Sequence, residues 1–187
     1  MNTVLEFELP EFLARANARA LVLPQGEARM RFVLDLAREN IATGGGPFAA
    51  AVFEYANGRL LAAGANRVTS SGYSCAHAET VALTLAQRRL GHYDLGAASF
   101  PSCELVSSAE PCLMCLGAVL WSGVRRLVWG ALREDALAIG FDEGPVFPES
   151  LDYLRARGIE IVAGQLRDEA RAVLELYARS GGHIYNP

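Results

Sequence analysis

Lysine is absent from this chain of 187 residues, so all 17 basic side chains are arginine. That excludes chemistry resting on a lysine Schiff base, and it excludes the lysine of a Walker-type phosphate loop. No apolar run approaches the roughly 20 residues needed to cross a bilayer. The opening residues, Met1 to Glu8, are acidic and lack the basic start and apolar core of a secretory signal. A cytoplasmic location is therefore expected, where cysteines stay reduced. A basic excess is also missing: the net charge is -4, and the arginines stand singly or in pairs such as Arg88-Arg89 and Arg125-Arg126. Such a chain is a poor match for a long nucleic-acid duplex, whose binding calls for a positive stripe. Membrane partners are not expected either.

What is present reads as one folded domain over residues 1–187. Apolar residues make up 51% and charged residues 20%, the balance of a chain that buries a core. Residues 1–24, interrupted by Pro10 and Pro24, read as an irregular leader or a short helix lying over the surface. Apolar positions Met30, Val33, Ala37 and Ile41 recur every three or four residues, which predicts a helix over 27–42. Strands are predicted at 49–55 and 60–65, joined through the turn signal Asn57-Gly58. A polar loop at 69–72 leads to a helix over 78–90. A short strand follows at 105–107, a buried helix at 112–121 and a strand at 126–130. Helices at 134–139 and 150–157, a strand at 159–163 and a helix at 168–178 complete the pattern. The expected fold is three-layered α/β: a mixed sheet of about five strands, helices on both faces, and parallel pairing where helices connect the strands.

The chemistry-bearing residues are few. His77-Ala78-Glu79 is followed, 33 positions on, by Cys112-Leu113-Met114-Cys115 after Pro111. Imidazole nitrogen and thiolate sulfur are zinc donors, and three protein ligands leave a fourth position open, as in catalytic zinc sites. Cys112 and Cys115, three apart at a helix start, can face one point, and a helix N-terminus favours thiolate. Glu79, two residues after His77, stands where a carboxylate can move protons beside a metal-activated water. Two other readings compete. Cys-x-x-Cys alone also fits a redox pair, and Cys75 could supply the fourth ligand of a closed structural site. Neither explains His77-Ala78-Glu79 as directly. Cys103 reads as a core or strand-entry residue, and His92 and His183 carry little signal. Arg67 could hold a loop or a phosphate, and Glu110 reads as structural or solvated. The run Gly44-Gly45-Gly46 lacks the Gly-Lys-Ser/Thr that would make it a phosphate loop.

His-x-Glu with Pro-Cys-x-x-Cys is the general signature of zinc nucleobase deaminases. With it, the chain resembles the cytidine deaminase-like superfamily, and within it the bacterial guanine deaminase branch. The likeness runs from about Met30 to Pro145. Its landmarks include Gly45-Gly46-Pro47-Phe48, Asn66-Arg67-Val68 and Gly140-Phe141-Asp142-Glu143, the last pointing away from the tRNA adenosine deaminases. The resemblance implies one Zn2+ on His77, Cys112 and Cys115, with Glu79 as proton shuttle and Glu143 as a second acid near the amino group. Many relatives carry aspartate in place of Glu143. Asn66 is implied to bind the purine ring, with Phe48, Trp121, Ala78 and Tyr185 as further substrate contacts. The implied reaction is hydrolysis of guanine to xanthine and ammonia by a homodimer, with no redox or nucleotide cofactor. Residues 179–187 would be a lid or a segment swapped between subunits. On the residues alone, Phe48 and Trp121 fit the core equally well, Asn66 could cap a turn, and Glu143 could be an exposed loop acid. The competing functions are deamination of adenosine in tRNA, deamination of another nucleobase, nucleoside or aminated triazine, and a zinc-supported binding module without catalysis.

Overall fold

A computed structural model of the chain describes residues 8–185. Residues 1–7 of the expected leader and residues 186–187 of the expected lid lie outside the described residues. Along the chain run α1 (Glu11–Ala18), α2 (Gly26–Ala42), β1 (Ala49–Glu54), β2 (Leu60–Ala65), α3 (Val68–Ser71), α4 (Ala78–Leu90) and β3 (Cys103–Ala109). They are followed by α5 (Leu113–Ser122), β4 (Arg126–Ala131), α6 (Arg133–Leu137), α7 (Pro148–Ala156), β5 (Glu160–Val162) and α8 (Arg167–Arg179). The five strands form one sheet in the order β2-β1-β3-β4-β5. β1 pairs antiparallel with β2 and β3, whereas β3, β4 and β5 pair in parallel. The mixed α/β sandwich expected from the sequence is what forms. One local difference is the single helical turn α3, which replaces the expected polar loop.

Strand alternation divides the core into two layers. Ala49, Ala51 and Phe53 of β1, with Val106 and Val128, pack against Met30, Val33, Leu34 and Val173. The opposite face carries Ala50, Val52, Leu105, Leu127 and Trp129, packed against Ala82, Leu116, Val119 and Leu154. Helices α2 and α8 therefore cover one face, and α4, α5 and α7 the other. Alanines in β1 let helices approach on both sides. The nearest approach is at Gly64 of β2, where a Cβ would lie 2.4 Å from the Ala78 carbonyl oxygen and 2.5 Å from the Ala82 nitrogen. Only glycine lets the first turn of α4 sit this low on the sheet.

The leader takes its short-helix form. Phe12, Leu13 and Ala16 of α1 are buried, and Asn17 pairs with the outer edge of β2. Asn17 Nδ2 donates to the Ala63 carbonyl at 2.9 Å, and the Ala63 N–H donates to Asn17 Oδ1 at 2.8 Å. This carboxamide stands in for a neighbouring strand and covers an exposed edge. At the start of β3, Glu104 is fully buried between two guanidiniums, Arg29 and Arg126. Arg29 also donates to the carbonyls of Leu23, Pro24 and Tyr55, so one buried ion pair ties the leader to the sheet. The network sits at the amino edge of β3 and β4, which leaves their carboxyl edge for chemistry, as parallel sheets commonly do. No helix among the described residues is long and apolar enough to cross a membrane.

Candidate active site

Two helices begin at the same point above that carboxyl edge. His77 is the N-cap of α4 and Cys112 the N-cap of α5, both in extended backbone, with Glu79 and Cys115 in the first turns. The positive ends of both helices favour thiolate and carboxylate at this spot. The donor atoms of His77, Cys112 and Cys115 lie within 4.8 Å of one another. His77 Nδ1 is 3.5 Å from Cys112 Sγ and 3.6 Å from Cys115 Sγ. A tetrahedral zinc with bonds of about 2.3 Å to sulfur and 2.0–2.1 Å to nitrogen holds such ligands about 3.5 Å apart. The side chains present thus fit zinc in spacing and in chemistry. Cys75 is exposed and stands outside this group, so the arrangement has three protein ligands and is not a closed structural site. A redox pair would have no need of the imidazole that touches both sulfurs.

The electrostatics point the same way. Hydrogen bonds from Cys115 and His77 overcome burial and pull the Cys112 thiol down to about 4. The thiol of Cys115 is pushed up, first by its bond to Cys112 and then by burial. Burial works against the His77 imidazolium, but Cys112 and Glu79 outweigh it and raise its pKa. Glu79 is raised by burial and by the Cys112 charge, and Glu143 is raised to about 8 for the same two reasons. Two thiols and two carboxyls in one dry space make a site in which a divalent cation would relieve the repulsion.

Glu79 is only 6% exposed. Ser107 Oγ of β3 donates to its Oε1 at 3.2 Å, and Cys115 Sγ lies 3.4 Å from its Oε2. Asn66 follows β2 directly, and its main-chain N–H donates to the Phe48 carbonyl at 2.9 Å. Its Oδ1 accepts from the Val68 N–H at 3.2 Å, and the residue lines the cavity. Glu143 comes from the loop after α6 and is held over α5 by its carbonyl, which accepts from the Leu113 N–H at 3.4 Å. It is 8% exposed, so the exposed-loop reading of this acid does not hold. Tyr185, near the end of the chain, lines the same cavity. Its ring meets Phe141 edge-on at 5.0 Å, as does that of Phe48. Phe48, Asn66, His77, Glu79, Cys112, Glu143 and Tyr185 line one cavity of about 20 Å3, together with Ala109 and Glu110.

Two of the expected substrate contacts stand elsewhere. Trp121 is 76% exposed near the end of α5 and does not line this chain's cavity. An indole nine residues into a helix that begins at the metal ligands is carried away from them by the helix rise. Ala78 is fully buried and also does not line the cavity; it serves the packing of α4 on Gly64. Glu110, read from the sequence as structural or solvated, lines the cavity while its Oε2 accepts from the Arg133 N–H at 3.2 Å. Ser107 was not singled out from the sequence, where it is one small polar residue in an apolar strand.

Purified protein is expected to carry about one zinc per chain. Elemental analysis should show that metal lost when Cys112→Ala and Cys115→Ala are combined. Stoichiometric zinc surviving in the double variant would contradict the ligand assignment.

Known proteins resemble this chain in sequence and fold. The family model of the cytidine and deoxycytidylate deaminase zinc-binding region matches residues 24–131. The solved structure of a guanine deaminase from Nitrosomonas europaea superposes with a TM-score of 0.94 at 55% identity, covering 96% of this chain and 98% of that one. A guanine deaminase of Bacillus subtilis (strain 168) is 37% identical over 124 residues, 66% of this chain and 75% of its own length. A tRNA-specific adenosine deaminase of Haemophilus influenzae is 31% identical over 156 residues, 81% of this chain and 82% of its own. With His77, Cys112 and Cys115 inside the matched region and at its two helix starts, the chain belongs to the cytidine and deoxycytidylate deaminase family of zinc-binding enzymes.

Proposed function

We propose that the protein hydrolyses guanine to xanthine and ammonia. The observation that carries this reading is the meeting of the three-ligand cage with two buried carboxyls, Glu79 and Glu143, and the Asn66 carboxamide in one enclosed cavity. Among the relatives, a guanine deaminase is 55% identical over almost the whole chain and the tRNA enzyme 31%, which favours the free base over RNA. The net charge of -4 favours it too.

Zinc held by His77, Cys112 and Cys115 supplies the Lewis acidity that makes a water nucleophilic near neutral pH. Glu79 takes a proton from the attacking water as its oxygen bonds to C2 of the base, and returns that proton to ring nitrogen N3. Burial keeps a protonated form of Glu143 accessible, so this acid can assist transfer to the exocyclic amine. The C2–N bond then breaks, ammonia departs, and the carbonyl of xanthine remains. Asn66 Nδ2 orients the ring as a donor, and Phe48 and Tyr185 exclude water from both sides of it. A cavity of about 20 Å3 holds little more than one water, so a base enters only when Tyr185 withdraws. The C-terminal segment through Tyr185 then acts as a lid over the site.

The same reading includes a homodimer in the cytoplasm. Leu113, Leu116, Leu120, Phe147, Tyr153 and Leu154 line an apolar groove of about 500 Å3 between α5 and α7. Trp121 adds an exposed indole at the end of α5, and a second copy of the chain would cover both. Light scattering over a dilution series should give the mass of a dimer, and a monomer throughout would refute it.

Glu79→Gln should keep its zinc and lose guanine turnover by roughly a hundredfold or more, the scale of general acid–base catalysis. Ammonia release, with chromatography to identify xanthine, checks this. Near-normal turnover in the variant would remove Glu79 from the mechanism. Conversion of adenosine in a tRNA anticodon stem-loop by the wild type, with no guanine turnover, would move the enzyme to the tRNA-acting branch.

A further inference from the structure

Asn40, near the end of α2, is fully buried, and nothing in the reaction above uses it. Its carboxamide joins three segments. Nδ2 donates to the Gly46 carbonyl at 2.8 Å and to the Asn66 carbonyl at 3.1 Å, and Oδ1 accepts from Arg67 Nη1 at 3.2 Å. The Asn40 carbonyl in turn accepts from the Gly45 N–H at 2.8 Å. Gly45 lies so near the carboxamide that a Cβ there would stand 2.4 Å from Oδ1. At Gly46 a Cβ would stand 3.1 Å from the Tyr185 hydroxyl and 3.4 Å from Asn66 Oδ1. What Asn40 holds is therefore the floor beneath two residues of the cavity.

Arg67 is the second unexplained group. It has no ion pair among the described residues, its Nε is buried without a partner, and burial lowers its pKa. A partly buried guanidinium without a carboxylate is costly. The cost has a reason if the residue facing Arg67 must also donate twice. An aspartate at position 40 would pair with Arg67 but set its oxygens against the carbonyls of Gly46 and Asn66. An asparagine can serve both sides, provided its amide is held one way round, and a cation on Oδ1 does that.

We propose that Asn40 and Arg67 form a clamp that positions Asn66 and the Gly44–Gly46 segment for base binding, with Arg67 fixing the orientation of the Asn40 carboxamide. Both are positioning residues that act through Asn66. The proposal rests on the cavity being the base site described above.

Steady-state kinetics of Arg67→Met, Arg67→Lys and Asn40→Asp test it, with whichever of guanine, adenine and cytosine the wild type deaminates. If guanine fails as substrate, the comparison still runs on another base. Arg67→Met should raise KM about tenfold, with kcat within about threefold of wild type, the pattern of lost ground-state binding. Zinc content should be unchanged, and Arg67→Lys should restore most of the KM. Asn40→Asp should raise KM at least as much despite its new charge pair. If that variant fails to fold, the two Arg67 variants decide. A wild-type KM in Arg67→Met, a fall in kcat alone, or a defect that lysine does not relieve would overturn the clamp. A wild type that deaminates none of the bases would overturn it together with the proposed function.

Discussion

The packing of α4 on β2 at Gly64, where a side chain would run into the Ala78 carbonyl at 2.4 Å, sets the height of His77 and Glu79 above the sheet. From the parallel half of the sheet, β3 delivers Pro111 and Cys112 to the same height, so the first turns of α4 and α5 meet. Everything chemical follows from that meeting. The imidazole reaches both sulfurs at 3.5 and 3.6 Å, and Glu79 is buried against Ser107. Two helix N-termini offset part of the cost of gathering thiols and carboxyls. A metal ion offsets more, which couples zinc binding to the stability of this edge of the fold.

The sheet and its helices were legible because their signals are local. Periodicity marked 27–42, Asn57-Gly58 marked the hairpin, and uniform apolarity marked the helix after Cys112. The three ligands and Glu79 were legible because donor chemistry and spacing leave few alternatives. Residues whose role depends on distant segments were not. Trp121 could be read as a pocket ring or a core residue, but nine residues of helix carry it away from Cys112 to an exposed position. Glu110 read as structural or solvated, and only the fold shows that it holds the Arg133 N–H and also lines the cavity. Asn40 gave no signal at all, since its partners, Gly46, Asn66 and Arg67, are six to 27 positions away.

The cavity combines polar specificity with near-complete enclosure. Asn66, Glu79 and Glu143 line it together, and under the proposed function a base that left one of them unpaired would lose strongly. Phe141 holds the enclosing rings of Phe48 and Tyr185 edge-on, each at 5.0 Å. The Gly-Phe-Asp-Glu segment thus supplies both an acid and the anchor for the lid. Enclosure and acid placement are therefore one structural fact, which ties the choice of substrate to its size.

The central claim is that this enclosed site deaminates a free base. Initial rates of ammonia release from guanine and from guanosine, measured side by side on the zinc-loaded enzyme, test it most directly. With Tyr185 closed over the base as proposed, a ribose would find no room, so guanine should be favoured by roughly a hundredfold or more. Comparable rates on the two compounds would contradict the account.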